Sequence, residues 1–172
     1  MDIKQLNEEL DKYLKPFPIN EMAIKYGRSL GKQNNIVKAI DLVLQAKQGH
    51  VKTNMMLKVK SMVTPEEIKF GVYDKIMQNV IVEKEYPITI VWGEPDKGKL
   101  YAHGISHILQ GHKKDFNEIK TELNKAILNG TAAKIINSNA DLLWKNKYIF
   151  SFALFNNNGR PEEAVLITGF KK

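Results

Sequence analysis

Tyr86-Pro87-Ile88-Thr89-Ile90-Val91-Trp92 is where the pattern of this 172-residue chain changes. A run rich in β-branched residues, closed by Gly93-Glu94-Pro95-Asp96-Lys97-Gly98, reads as a strand ending in turn material. Upstream the spacing is mostly helical. Leu6, Leu10, Tyr13 and Leu14 form an apolar stripe that Pro16-Phe17-Pro18 breaks, and a second helical stretch begins near Asn20. Ile36, Ile40, Val43 and Leu44 form a clear stripe that stops near Gln48-Gly49. Val51 to Val63 is ambiguous between strand and helix. Thr64-Pro65-Glu66-Glu67 predicts a helix start, with Thr64 as N-cap and Glu67 closing a capping box, for a helix presenting Ile68, Val72, Ile76 and Val80.

Downstream, a short helix or turn covers Gly104 to Gln110. Asp115 then caps a helix carrying Phe116, Ile119, Leu123, Ala126 and Ile127, which ends at Asn129-Gly130. Strands are predicted at Ala132–Ile136, Lys147–Phe155 and Ala164–Phe170, the last two joined by the turn-rich loop Asn156–Pro161. The expected fold class is therefore α+β. A mainly helical, basic region, 1–85, packs with an α+β region, 86–172, holding a small antiparallel sheet of about four strands, and the two form one compact unit.

Composition narrows the functional classes. A hydrophobic fraction of 43% and a charged fraction of 26% are those of a globular protein able to build its own core. No cysteine is present, which excludes disulfides, thiolate metal sites and cysteine nucleophiles. Met1-Asp2-Ile3-Lys4-Gln5 opens without an apolar signal region, and no run approaches the ~18 apolar residues of a membrane span. A cytoplasmic protein without a membrane partner is expected, with delivery from another cell or a phage left open.

The net charge of +7 is unevenly spread. Between Met22 and Lys60, Lys25, Arg28, Lys32, Lys38, Lys47, Lys52, Lys58 and Lys60 face a single acid, Asp41. A localised surplus of this kind suits a phosphate backbone, and Lys25, Arg28 and Lys32 are candidate contacts. Solvated lysine-rich helix faces would give the same composition. Arg28 and Arg160 are the only arginines, so backbone attraction is favoured over bidentate base reading.

Two motifs carry chemistry. Gly93 to Lys99 has the outline of a phosphate-binding loop, but Leu100 stands where magnesium needs a hydroxyl, and Glu94 and Asp96 have the wrong sign. A polar turn accounts for it better. His103-Gly104-Ile105-Ser106-His107-Ile108-Leu109-Gln110-Gly111-His112 holds three of the four histidines. On a helix His103 and His107 share a face, and His112 bends back toward the same cleft. Three readings stay open: zinc ligands, an acid–base pair, or residues without special role. In the final strands, alternation puts Tyr148, Phe150, Phe152 and Leu154 on one face and Ile149, Ser151 and Ala153 on the other. Pairing Phe155 with Glu162 would add Leu166 and Thr168 to the Ser151 face. Two hydroxyls there leave room for a ligand; ordinary strand residues are the plainer reading.

A strand, the Gly-Ile-Ser-His-Ile-Leu-Gln-Gly-His segment 104–112, a capped amphipathic helix and a hairpin ending Leu166-Ile167-Thr168-Gly169-Phe170 together resemble a nuclease fold. The likeness is to the phage- and toxin-associated branch of the barnase, colicin and RelE-like ribonuclease superfamily, and it covers about residues 86–170. It implies helices before a four-stranded antiparallel sheet, with His107 and His112 as paired catalytic histidines, His103 a looser match, and Thr168 as the hydroxyl of the last strand. Relatives place an arginine or lysine in the cleft; here Lys99, Lys113 and Lys114 are the local cations.

The leading expectation is a metal-independent endoribonuclease or toxin-like RNase domain, with no cofactor and no metal. One histidine takes the ribose 2′-OH proton, another protonates the leaving 5′-oxygen, and a 2′,3′-cyclic phosphate results. Thr168, Ser151 and a lysine would hold the phosphate. The expected partner is nucleic acid, RNA before DNA, with a cognate inhibitor protein possible for a toxin. The alternatives are a non-catalytic nucleic-acid-binding or adaptor domain with a basic N-terminal surface, and a zinc-dependent hydrolase using His103, His107 and His112.

Overall fold

In a computed structural model of the chain, the structure describes residues 28–63, 80–94, 102–136, 139–155 and 162–172. The expected helices near 6–14 and after Asn20, the one starting at Thr64, most of the 93–99 loop, the loop 156–161, and Lys25 and Lys99 lie outside these residues.

Burial alternates plainly along the segment whose sequence reading was ambiguous. Val51, Thr53, Leu57 and Val59 are buried, while Lys52 and Asn54 between them and Lys60 after them are exposed. That period of two makes His50–Val63 a strand, β2, preceded by the short β1 (Ser29–Gln33). Helix α1 (Ile36–Ala46) lies between them. The Asn35 side chain accepts from the N–H of Val37 at 2.8 Å and of Lys38 at 3.2 Å, starting the helix. Lys47, in the left-handed region at φ 51°, ends it.

The chain continues through β3 (Val80–Val91), α2 (Gly104–Gly111), a 3₁₀ turn (Lys113–Asp115), α3 (Phe116–Leu128), β4 (Ala132–Ile136), β5 (Asn139–Trp144), β6 (Tyr148–Phe155) and β7 (Glu163–Lys171). Among the described residues the strands form one sheet in the order β1-β2-β3-β7-β6-β5-β4. Parallel pairing of Lys58–Lys60 with Ala132–Lys134 joins β4 back to β2. Six strands thus close into a barrel and β1 is added outside the ring.

This overturns the α+β division. The region expected to be mainly helical contributes β1, β2 and the first half of β3, and the sheet has seven strands among the described residues instead of about four. The boundary expected at residue 85 falls inside β3. Two causes are physical. Met55-Met56-Leu57 is a contiguous apolar run that blurs the alternation of β2. Strand β5 opens with Asn139 and carries Asp141, so it has too few apolar positions to stand out by itself.

One face of the ring is apolar and is covered by the helices. Leu57 and Val59, Tyr86, Ile88 and Ile90, Ala133, Ala140 and Leu142, Phe150, Phe152 and Leu154, and Ala164 and Leu166 join α1, α2 and α3 in one buried cluster. Cross-strand pairs match large with small, as in Phe152 opposite Ala140 and Phe150 opposite Gly169. A second buried cluster, Val91, Ala153, Phe155, Val165 and Ile167, lies on the other face of β3, β6 and β7. Among the described residues no helix is long and apolar enough to cross a membrane.

Polar contacts fix α3 within this frame. Lys120 pairs with Asp41 of α1 at 2.9 Å, and Lys171 of β7 with Glu118 at 3.1 Å. The Glu122 carboxylate accepts from Trp144 Nε1 at 2.7 Å and lies 3.3 Å from Lys145 Nζ. The Trp144 hydrogen bond, reinforced by Lys145, holds the Glu122 carboxyl below its ordinary value despite burial. A lowered folded value means a contribution present above the unfolded pKa of about 4.3 and lost as pH falls through the folded one. Glu122→Gln should therefore cost about 1–2 kcal/mol near pH 7. Urea midpoints measured from pH 7 down to 3 should fall more steeply for the native chain than for this variant.

Candidate functional site

The histidine segment is positioned by the end of β3. Glu94 and His103 exchange two backbone hydrogen bonds, each 2.9 Å, so His103 lies in an isolated bridge. Its backbone is extended, at φ −165°, and its side chain is fully buried. Gly104 turns the chain into α2 at φ 85°, and a Cβ there would meet the Trp92 carbonyl oxygen at 2.7 Å. Ser106 completes the junction: its Oγ donates to the Trp92 carbonyl at 2.7 Å and its N–H to the same oxygen at 2.9 Å. Sequence reasoning passed over Ser106. Its position two residues beyond a glycine at a strand-to-helix junction was the available sign.

These facts alter the histidine reading. His103 precedes the helix in extended backbone, so it does not share a helical face with His107. His107 is half-buried within α2, and His112 is half-buried at its C-cap. Five residues span roughly 140° around a helix, so His107 and His112 leave α2 in different directions. Among the described residues no group of three or more His, Asp or Glu is placed to hold a metal ion, which removes support from the zinc-hydrolase alternative.

His112 has a defined neighbour. Its ring stacks on Phe170, with centroids 5.9 Å apart and planes at 22°. The contact arises because β3 and β7 pair only through Ile88–Thr89 and Ala164–Val165. Beyond that seam the strands part, and α2 packs against both.

Phe170 and Thr168, two apart on β7, share the sheet face opposite the helices. Gly169 between them faces inward, where a Cβ would meet Phe150 at 2.8 Å and Ile119 at 3.4 Å. Thr168 is the direct partner of Ser151, and Ser151 of Asp141. Ser151 Oγ donates to Asp141 Oδ1 at 2.7 Å. Asp141 pairs with Lys134, and Lys134 with Lys60. One polar row, Lys60–Lys134–Asp141–Ser151–Thr168, therefore runs across five strands of the outer face. Leu166 does not join it. The register slips between Ser151 and Phe152, placing Leu166 opposite Phe152 in the core, because β7 carries an extra residue there.

The other expected residues are dispersed. Lys113 and Lys114 are exposed on the 3₁₀ turn just after His112. Arg28 and Lys32 are exposed at β1, which β2 and β3 separate from β7. The structure thus brings His112, Thr168 and Ser151 to one face, buries His103, and sets Arg28 and Lys32 in a second, basic area. In that area Lys32 is the register partner of Lys52, and both are exposed. Lys52, Lys58 and Lys60, named only as part of the basic stretch, and Lys134, not named at all, belong to the same outer face.

Charge pairing divides the lysines in two. Lys84, Lys120, Lys125, Lys145 and Lys171 each lie within 4.0 Å of a carboxylate. Arg28, Lys32, Lys52, Lys58 and Lys134 form no ion pair with an acid among the described residues, and Lys60 reaches Glu83 only at 4.0 Å. No protein-family model, curated protein or solved structure matches the chain.

Gly104→Ala combines a disfavoured φ with a backbone clash and should cost about 2 kcal/mol or more. Thermal denaturation of the variant beside the native chain measures it directly, and an unchanged midpoint would contradict the tight α2 junction.

Proposed function

We propose that the chain binds the phosphate backbone of nucleic acid along the outer face of its barrel, RNA before DNA. The observation that carries this is the exposed pair Lys32 and Lys52, side by side on β1 and β2, with neither joined to an acid among the described residues. Like charges directly across a sheet repel by a few tenths of a kcal/mol. A phosphate between them turns that repulsion into attraction and releases counterions. Arg28 beside β1 and Lys134 on β4 extend the positive field, as do Lys58 and Lys60 of β2, which Glu85 and Glu83 of β3 oppose in register. The scarcity of arginine suits point-charge attraction with little base discrimination.

The slope of log affinity against log salt counts neutralised phosphates, at about 0.9 per contact on duplex. Lys32→Ala with Lys52→Ala should therefore reduce that slope by about 2. Fluorescence anisotropy with a labelled duplex between 50 and 200 mM salt reads this out. An unchanged slope would remove these strands from the interface.

Metal-independent RNA cleavage is the second reading, favoured by the stacking of His112 on Phe170, two residues along β7 from Thr168, the register partner of Ser151. His112 would take the 2′-OH proton, O2′ would attack phosphorus, and the 5′-oxygen would leave with a proton, giving a 2′,3′-cyclic phosphate. His107 is the second group that the barnase-type resemblance supplies, although it leaves α2 on another side. That resemblance also implies a four-stranded sheet, whereas the described residues form seven strands and a closed ring. Incubation with total RNA in excess EDTA tests the reading. Cyclic-phosphate ends that disappear in His112→Ala support it, and intact RNA leaves backbone binding alone.

A further inference from the structure

Two adjacent rows cross the outer face of β5, β6 and β7. Asp141–Ser151–Thr168 supplies a carboxylate and two hydroxyls, and Leu143–Ile149–Phe170 is the next row along the same face. Rows two residues apart are about 7 Å from one another, and neighbouring strands about 4.8 Å. The second row is apolar yet open to water: Leu143 is 46% exposed, and Ile149 and Phe170 are half-buried. The helices cover the other face, so these three side chains are not part of the main core. His112 extends the row by stacking on Phe170. At its β7 end stand Lys113, Lys114 and Lys172, all exposed and without an acid partner among the described residues.

An apolar row ending in stacked rings, beside a polar row and rimmed by lysines, matches the three parts of an unpaired nucleotide. A base has two flat faces that stack on aromatic rings, an edge of donors and acceptors, and a phosphate. A duplex offers only the last of these to a convex sheet surface, because its bases are already stacked. Asp141 narrows the choice. A carboxylate repels phosphate, so what lies over that row is a base edge, and a carboxylate accepts from an exocyclic amino group. Cytosine, adenine and guanine have one; uracil has none.

Resting on the backbone-binding reading above, we infer that Leu143, Ile149, Phe170 and His112 form a stacking platform for single-stranded nucleic acid. Asp141, Ser151 and Thr168 take the edges of amino-bearing bases. The basic strands β1, β2 and β4 hold the continuing backbone, and Lys134, next to Asp141 in register, links the two areas.

The test compares labelled single strands of about ten nucleotides, oligo(C) and oligo(U), with a duplex of equal length, by anisotropy at fixed salt. The native chain should bind oligo(C) more tightly than oligo(U), and either single strand more tightly than the duplex. Phe170→Leu keeps an apolar side chain but removes the ring, and should weaken single-strand binding by about tenfold while leaving duplex binding unchanged. Leu143→Ser, at an exposed position, gives a second variant with little risk to folding. Equal affinity for single strand and duplex, or unchanged single-strand binding in both variants, would overturn the platform. The salt-slope effect of Lys32 and Lys52 would survive that result. Absence of binding to any of the three ligands would overturn both proposals. A dimer dispersed by Leu143→Ser, without strand binding, would give this face to a second copy of the chain and overturn the platform as well.

Discussion

Parallel pairing of Lys58–Lys60 with Ala132–Lys134 holds the ring closed, and most of the structure depends on it. At about 3.3 Å per residue, the 14 residues of β2 are longer than either neighbour on that side can cover. The first part pairs with β1, and the later part is left for β4. Without that contact β2 and β4 would both present open edges, which invite pairing with other chains. With it, the apolar faces of six strands meet around a single core, and the helices pack onto it.

Closure also organises the surface. Residues in register share a face, so joining β4 to β2 makes one outward row run from Lys60 to Thr168. Two residues far apart in the chain, Lys60 and Lys134, become neighbours through it. The stacking row beside it has a different origin. It exists because β3 and β7 part after two paired residues, and α2 packs beside β7, bringing His112 onto Phe170.

Acid–base pairing completes the picture. Glu118 and Glu122 of α3 hold the helix to β7 and to the β5–β6 hairpin, while Glu83 and Glu85 of β3 stand in register with Lys60 and Lys58. Lys32, Lys52 and Lys134 form no ion pair with an acid among the described residues, which leaves them available to a ligand. Stability and binding draw on the same residue type in two separate regions, so changes in one need not disturb the other.

Much of the local structure was legible in the sequence. The Ile36–Val43 stripe, the spacing from Phe116 to Ile127, and the alternation from Tyr148 to Leu154 each report a single buried face, because local periodicity records which side meets the core. The surplus of cations before Lys60 was equally plain. The apposition of Ser151 and Thr168 depended on register, and only the bulge in β7 sets it. Tertiary structure alone decided that Val51–Val63 is a strand, that β5 exists, that His103 is buried while His112 meets Phe170, and that the ring closes. Each of these depends on partners distant in sequence, and a strand has no hydrogen-bond partners of its own until another strand supplies them.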